Sequence, residues 1–236
     1  VKGDKVTAAS LYLIGDTGAY ATHGLTVTMV GGFKGLTLYN SPNSRFICDV
    51  VYTNTVVAGA YRGYGSMQCQ YGIEVLMSEI ADRLGLDVVD FKKKNWIKVG
   101  EEMYLSQQLG EGRTGVRQEL VTSAMKQCVE IGRRVTDFDA KRAAYRDQTG
   151  RYRRGIGMAV VMHGSSVANL DMAAATLKMN DDGSFNLLMG ATDLGTGSDT
   201  ILAQIAAEVL NTDVDDIIVY SSDTDFTPFD KGAYAS

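Results

Sequence analysis

Two short stretches carry the residue types from which chemistry is built. In VVAGAYRGYGSMQ, residues 56–68, an arginine stands between Tyr61 and Gly63 where an apolar extended run hands over to an amphipathic pattern. In GATDLGTGSDT, residues 190–200, Gly195, Thr196, Gly197 and Ser198 precede a second such pattern. A glycine-rich turn that opens a helix leaves backbone amides unpaired, and the helix dipole adds positive potential there, so the turn suits an anion such as a phosphate. The same residues also make an ordinary helix start, with Ser198 or Asp199 accepting from the first free amides. The second loop has no Walker-type lysine and no complete GxGxxG spacing, so both readings stand. At the first loop Arg62 is either a site residue or a surface donor, and Tyr61 and Tyr64 either face a ligand or are packed aromatics.

The elements that must hold these loops are read from periodicity. Extended runs fall near residues 5–14 and 46–57. Ile73, Leu76, Ile80 and Leu84 recur at spacings of three and four, which predicts a helix from Gln68 to Leu84 that stops at Gly85. A short helical turn follows in DVVDFKKKNW, where Lys92, Lys93 and Lys94 read as a solvated helix end. Val116, Leu120, Ala124 and Cys128, four apart, predict a helix over 115–132 closed by Gly132. The charged run TDFDAKRAAYRDQTGRYRR offers little that belongs in a core, which places a subdomain boundary near Gly150. Beyond it, GIGMAVVM reads as an apolar strand, and Asp181, Asp182 and Gly183 as a hairpin turn. Ile201, Ile205 and Val209 form the apolar repeat of a helix opened by the second glycine loop, and DIIVY is a last short strand. The loop-then-helix elements at 60–84 and 190–210 echo one another.

Composition narrows the function classes. With 236 residues, 45% hydrophobic and 22% charged, the chain has the makings of one large globular domain or two small ones. A formal net charge of -5 gives no electrostatic reason to expect nucleic acid or an anionic membrane as partner. No apolar run reaches membrane-spanning length and no signal segment is visible, so the cytoplasm is the expected location. Cys48, Cys69 and Cys128 lie far apart with no CxxC pair and read as buried free thiols, and His23 and His163 lack metal-ligand spacing. The opening VKGDKVTAAS enters in mid-strand and the closing DKGAYAS stops after a glycine turn, so the expectation is an internal piece of a longer polypeptide.

Taken together, YTNTVVAGAYRGYGSMQ, RLGLDVVDFKKKNWIKVGEE, GATDLGTGSDTILAQIAAEVL and DTDFTPFDKGAYAS resemble, in order and along nearly the whole chain, the molybdenum-binding subunit of the xanthine dehydrogenase and aldehyde oxidase family of molybdenum hydroxylases. The resemblance implies an α+β fold, mixed sheets with packed helices, in two molybdopterin-binding subdomains that form a cofactor cleft: residues 1–149 and 150–236, both partial. It implies a molybdenum held by the dithiolene of a molybdopterin, in a dinucleotide form, and not by side chains. Ala60, Tyr61, Arg62 and Gly63 would lie against the cofactor, as would Gly195, Thr196, Gly197, Ser198, Ala235 and Ser236. Arg62 and Ala235 would come nearest the metal. Tyr64 would stack on or edge against a planar substrate, with Ser165 and Ser166 completing its pocket.

The implied reaction is oxidative hydroxylation of an electron-poor carbon with oxygen derived from water, a glutamate beyond residue 236 acting as general base. Electrons would leave through iron–sulfur clusters and FAD in partner domains or subunits. Thr196 stands where the family usually has glutamine, Val30 where xanthine-type members have an arginine, and Ser165 and Ser166 where those members pack a phenylalanine and a threonine. The reading is therefore part of a hydroxylase subunit acting on a purine- or nicotinate-like heterocycle, the chain alone being inactive. The alternatives are an aldehyde or aromatic thioester oxidoreductase of the same family, a non-catalytic half-subunit completing a cofactor cleft with another chain, and an α+β domain binding some other phosphate-bearing ligand.

Overall fold

The computed structural model describes residues 1–109, 114–164 and 172–232. The chain divides into two compact units, Val1–His163 and Gly164–Ser236.

The first unit is built on a β-α-β crossover. Strands β1 (Ala9–Asp16) and β2 (Ser44–Val51) pair in parallel, from Ala9 opposite Ser44 to Asp16 opposite Val51. Parallel strands need a crossover, and here it is helix α1 (Gly24–Leu38). Periodicity did not disclose α1, because it has no polar face to set against an apolar one: Val30, Lys34, Leu36, Thr37 and Leu38 are all buried. Its glycines are there for close packing. A Cβ added at Gly31 would lie 2.5 Å from the Gly65 carbonyl oxygen, one at Gly32 would lie 2.2 Å from the Phe46 ring, and one at Gly35 would lie 2.7 Å from Ile73 Cδ1. Val30, expected near a substrate, is packed inside this helix at 5% exposure.

Helices α2 (Ser66–Arg83) and α3 (Val88–Asn95) follow, the latter capped by the Asp87 carboxylate, which accepts from Val89 and Asp90 N–H. Helix α2 begins and ends close to expectation, but its buried face is Cys69, Gln70, Glu74, Met77 and Ala81. Ile73 and Ile80 pack at the margin of that face, while Leu76 and Leu84 are exposed. The helix expected over 115–132 is α4, Met125–Val135. Residues 116–120 instead run antiparallel beside 100–103, with Gly100 N–H to Leu120 C=O at 2.8 Å and Met103 N–H to Gln118 C=O at 2.9 Å. The charged run after α4 does reach the core: it forms α5 (Phe138–Ala144), whose Phe138 is buried with Val129 of α4. Among the described residues the expected strand GIGMAVVM joins no sheet; it packs within the first unit, with Val160 in the same core as Met77, Val89 and Phe91. Of the three thiols only Cys69 is buried; Cys48 is half-buried and Cys128 exposed.

The second unit is a three-stranded sheet in the order β3 (Ala175–Met179), β4 (Phe185–Met189), β5 (Ile217–Ser221). The β3–β4 hairpin turns where Asp-Gly placed it, with Gly183 at a φ of +88° and Asp182 accepting from Ser184 N–H. Strand β5 returns parallel to β4 through helix α6 (Ser198–Leu210). Leu187, Met189 and Ile217 of the sheet pack against Ala203 and Ala207. The repeat Ile201, Ile205, Val209 lies on the opposite side of α6 and is exposed. With helices packed on a parallel strand pair in the first unit and on a mixed sheet in the second, the fold is α+β. Among the described residues no helix is long and apolar enough to cross a membrane.

Candidate molybdopterin site

The first loop leaves the end of β2 along the end of β1. Thr53 N–H donates to the Gly18 carbonyl at 3.1 Å and Ala19 N–H to Thr55 at 3.2 Å, and the Thr22 hydroxyl holds the Ala58 carbonyl at 3.0 Å. Asp16 closes this junction, accepting from the Thr53 hydroxyl and the Gly18 N–H, both at 2.7 Å, which hold its carboxyl below the usual aspartate range. Gly63, Tyr64 and Gly65 then take successive positive φ values of 86°, 49° and 82°. Tyr64 N–H bonds the Tyr61 carbonyl at 2.7 Å and Ser66 N–H the Gly63 carbonyl at 2.9 Å, so the chain turns sharply into α2. Gly65 admits no side chain, because a Cβ there would lie 2.2 Å from the Val27 carbonyl oxygen. Tyr64 accepts a conformation that disfavours it by roughly 1–2 kcal/mol. Its hydroxyl lies 2.8 Å from Nδ1 of His23, the residue preceding α1, and the two rings meet edge-on.

Ala60, Tyr61 and Arg62 are exposed at the crest of this turn, with the Arg62 guanidinium 6.0 Å from the centre of the Tyr61 ring. The N–H groups of Gly59, Ala60, Tyr61, Arg62 and Gly63 donate to nothing among the described residues. The Ser66 hydroxyl, directly after the turn, is buried and equally without a partner.

The second loop repeats this design with one difference. Gly195 and Gly197 have φ values of 93° and 82°, and Gly197 is the residue before α6, as Gly65 is before α2. Both helix starts therefore read Gly-x-Gly-Ser. In both, the serine hydroxyl is buried and has no hydrogen-bond partner among the described residues, and Asp199 Oδ1 joins Ser198 Oγ in that condition. The difference is where the amides point. The Asp193 carboxylate accepts from the N–H groups of Gly195 (2.7 Å), Thr196 (2.9 Å), Gly197 (3.2 Å) and Asp199 (3.4 Å). These amides, Gly197 foremost and then Gly195, hold its carboxyl below the usual range. Neither Ser198 nor Asp199 caps the helix through its side chain; an upstream aspartate serves the loop amides. An Asp two residues before a glycine turn is a recognisable signal for this arrangement. A Cβ added at Gly195 or Gly197 would meet nothing within 4 Å, so this loop has open space beside its backbone.

Behind the first loop lies a buried polar network that the sequence did not disclose. Lys92, read as solvated, is 1% exposed and pairs with Glu74 Oε2 at 2.8 Å. Glu74 also accepts from the Tyr39 hydroxyl and from Val160 N–H at 3.0 Å, and Lys92 donates to the Met158 carbonyl at 3.0 Å. Gln70 donates to the Met162 carbonyl. Burial, then the neighbouring Glu74 charge, pushes the Tyr39 phenol well above its ordinary value. Lys34 Nζ lies 3.5 Å from His163 Nδ1, and burial followed by that ammonium lowers the His163 pKa. The candidate residues Ser165, Ser166, Ala235 and Ser236 lie outside the described residues.

A buried hydroxyl left unpaired costs about 1–3 kcal/mol. Such a hydroxyl behind a glycine turn, found once in each unit, suits a ligand rich in oxygen and nitrogen acceptors and donors, as a pterin is, and in the first unit the free amides of residues 59–63 add donors. Family comparison agrees with that chemistry. Two models, each described as a molybdopterin cofactor-binding domain, match residues 2–96 and 132–236. The chain is 36% identical over 230 residues to the xanthine dehydrogenase molybdenum-binding subunit of Escherichia coli O157:H7, covering 96% of this chain and 29% of that protein. It is 29% identical over 224 residues to nicotinate hydroxylase hnxS of Emericella nidulans, covering 90% of this chain and 16% of the relative. Its fold matches the crystal structure of the aldehyde oxidoreductase from Desulfovibrio desulfuricans with a TM-score of 0.74 at 24% identity, over 98% of this chain and 25% of the other. The chain belongs to the molybdopterin-binding subunits of the molybdenum hydroxylase family. It spans about three tenths of the length of the bacterial relative.

Proposed function

We propose that the chain is the molybdopterin-binding part of a hydroxylase subunit that oxidises a purine- or nicotinate-like N-heterocycle with oxygen drawn from water. The observation that carries this reading is the pair of Gly-x-Gly-Ser helix starts, each with a buried serine hydroxyl awaiting a polar partner. Ala60, Tyr61, Arg62 and Gly63 would hold the cofactor through their free amides, Arg62 nearest the metal. In the second loop Asp193 engages the amides, so the contact falls to the Ser198 hydroxyl and to the open side of Gly195, Thr196 and Gly197. Ala235 and Ser236 would complete the contacts. When bound, the molybdenum of the cofactor supplies the two-electron oxidising centre.

Tyr64 is the residue for a flat substrate, its ring steadied by the bond to His23, with Ser165 and Ser166 as neutral hydrogen-bonding partners. The similar proteins act, by name, on xanthine, nicotinate and an aldehyde, and the highest identity among these, 36%, is to the xanthine dehydrogenase subunit, which supports a heterocycle. The two cofactor-binding subdomains are proposed as residues 1–149 and 150–236, the general-base glutamate as supplied from beyond residue 236, and iron–sulfur and FAD groups as carried by partner domains or subunits. The proposed location is the cytoplasm.

Elemental and pterin analysis of the purified intact enzyme, followed by steady-state turnover of xanthine, nicotinate and a short aliphatic aldehyde, tests the reading. Molybdenum and pterin should be present and kcat/KM should be highest for a heterocycle. Absence of molybdenum, tungsten and pterin sinks the family chemistry, and a preference for the aldehyde sinks the substrate assignment.

A further inference from the structure

Residues 155–163 behave as a β-strand that has lost its sheet. Ile156, Met158, Val160 and Met162 turn inward while Gly155, Gly157, Ala159 and Val161 are exposed, the two-residue period of an extended chain. Three backbone groups of the inward residues are served by side chains in place of a neighbouring strand. Lys92 donates to the Met158 carbonyl, Glu74 accepts from Val160 N–H, and Gln70 donates to the Met162 carbonyl. In an extended chain, successive residues present their N–H and C=O to opposite edges. The groups of Gly157, Ala159 and Val161 therefore line the other edge, and among the described residues none of them has a hydrogen-bond partner. Beside this strand is an apolar cavity of about 300 Å³, lined also by Val89, Met125, Val129 and Phe138.

A row of unpaired donors and acceptors at two-residue spacing is a template for another strand. We propose that an extended segment of the molybdenum subunit, from outside these 236 residues, adds to this edge and bonds the N–H and C=O of Gly157, Ala159 and Val161. The occupant is polypeptide, because only a backbone repeats donor and acceptor at that spacing. It comes from the same subunit because the bacterial relative carries more than two thirds of its length outside the match. The inference rests on the reading of this chain as part of a longer molybdenum subunit. Gln70, Glu74 and Lys92 then each engage one backbone group of the inner edge, whereas no side chain among the described residues engages the outer edge, which is left for the incoming strand.

Residue-resolved amide hydrogen exchange on the intact molybdenum subunit tests this, with Val160, already bonded to Glu74, as internal reference. The Gly157, Ala159 and Val161 amides should exchange at least about 100-fold more slowly than an unstructured chain. Exchange of these amides near the free-chain rate, with Val160 still protected, overturns the proposal. Protection that appears only as the protein dimerises identifies a second copy as the occupant, and protection that requires the iron–sulfur or FAD partners identifies one of those; either result overturns it too. Ala159→Pro removes a donor from the outer edge and none from the inner one. It should return Gly157 and Val161 to fast exchange and leave Val160 slow; continued protection of both counts against the strand. The readout does not depend on metal or turnover, so an absence of molybdenum would defeat the functional reading separately.

Discussion

Lys92 and Asp193 show how far a residue's role departs from its type. Lys92 sits in a run of three lysines, yet its ammonium is sealed against Glu74 at the centre of the first unit while Lys93 and Lys94 stay at the surface. Removing one member of a buried, fully bonded pair leaves the other charge desolvated and costs about 3–5 kcal/mol. Lys92→Met should lower stability by that amount in urea unfolding followed through the single tryptophan, Trp96, which lies in the same core. A loss below about 1 kcal/mol would put the pair in the class of solvated surface bridges. Asp193 titrates in the opposite sense to a buried acid. Because its folded-state value is depressed, its contribution to the loop is fully present above the ordinary aspartate pKa of about 4 and is lost as pH falls through the lowered value. The amide resonances of Gly195 and Gly197 should therefore shift together with a midpoint below about 4, and Asp193→Asn should abolish that titration. A midpoint at or above the ordinary value would mean that the amides are not bonded to this carboxylate.

At the level of elements, period was legible and direction was not. Helix α6 was readable from Ile201, Ile205 and Val209, but those residues face outward and Ala203 and Ala207 meet the sheet, since small side chains let a helix lie close to Leu187 and Met189. Ala207→Leu should therefore destabilise the second unit by about 1–3 kcal/mol through overpacking. Val209→Ser, at an exposed position, should stay within about 0.5 kcal/mol. Thermal unfolding of the two variants decides between the faces, and the reverse ranking would place the Ile-Ile-Val stripe inside. The same limitation hid α1, which is buried along most of its length, with Leu25 the exposed residue, and so has no polar face to set against an apolar one. It also displaced the start of α4, where Val116 and Leu120 keep helical spacing while their backbone bonds to residues 100–103.

On the scale of the whole molecule, the chain carries exposed apolar surface in places where a complete domain has cover. The outer face of the β1–β2 pair shows Tyr12, Ile14, Ile47 and Val51 to solvent, although parallel strands are ordinarily buried on both faces. The outward stripe of α6 and the open edge at residues 157–161 have the same character. These surfaces accord with a chain that spans about three tenths of the length of its bacterial relative.

By itself the sequence determined what is local. Asp-Gly placed the hairpin, the glycine loop before Ser198 placed the start of α6, apolar periodicity placed α2 two residues late at Gln68, and the order of four segments along the chain identified the family. Only the tertiary structure decided which face of each helix is inside, and that Lys92 meets Glu74 across 18 residues and Lys34 meets His163 across 129. The physical reason is that spacing fixes which side chains share a face, whereas burial depends on what the rest of the chain brings against it. A lysine is free or engaged according to neighbours that no local pattern contains.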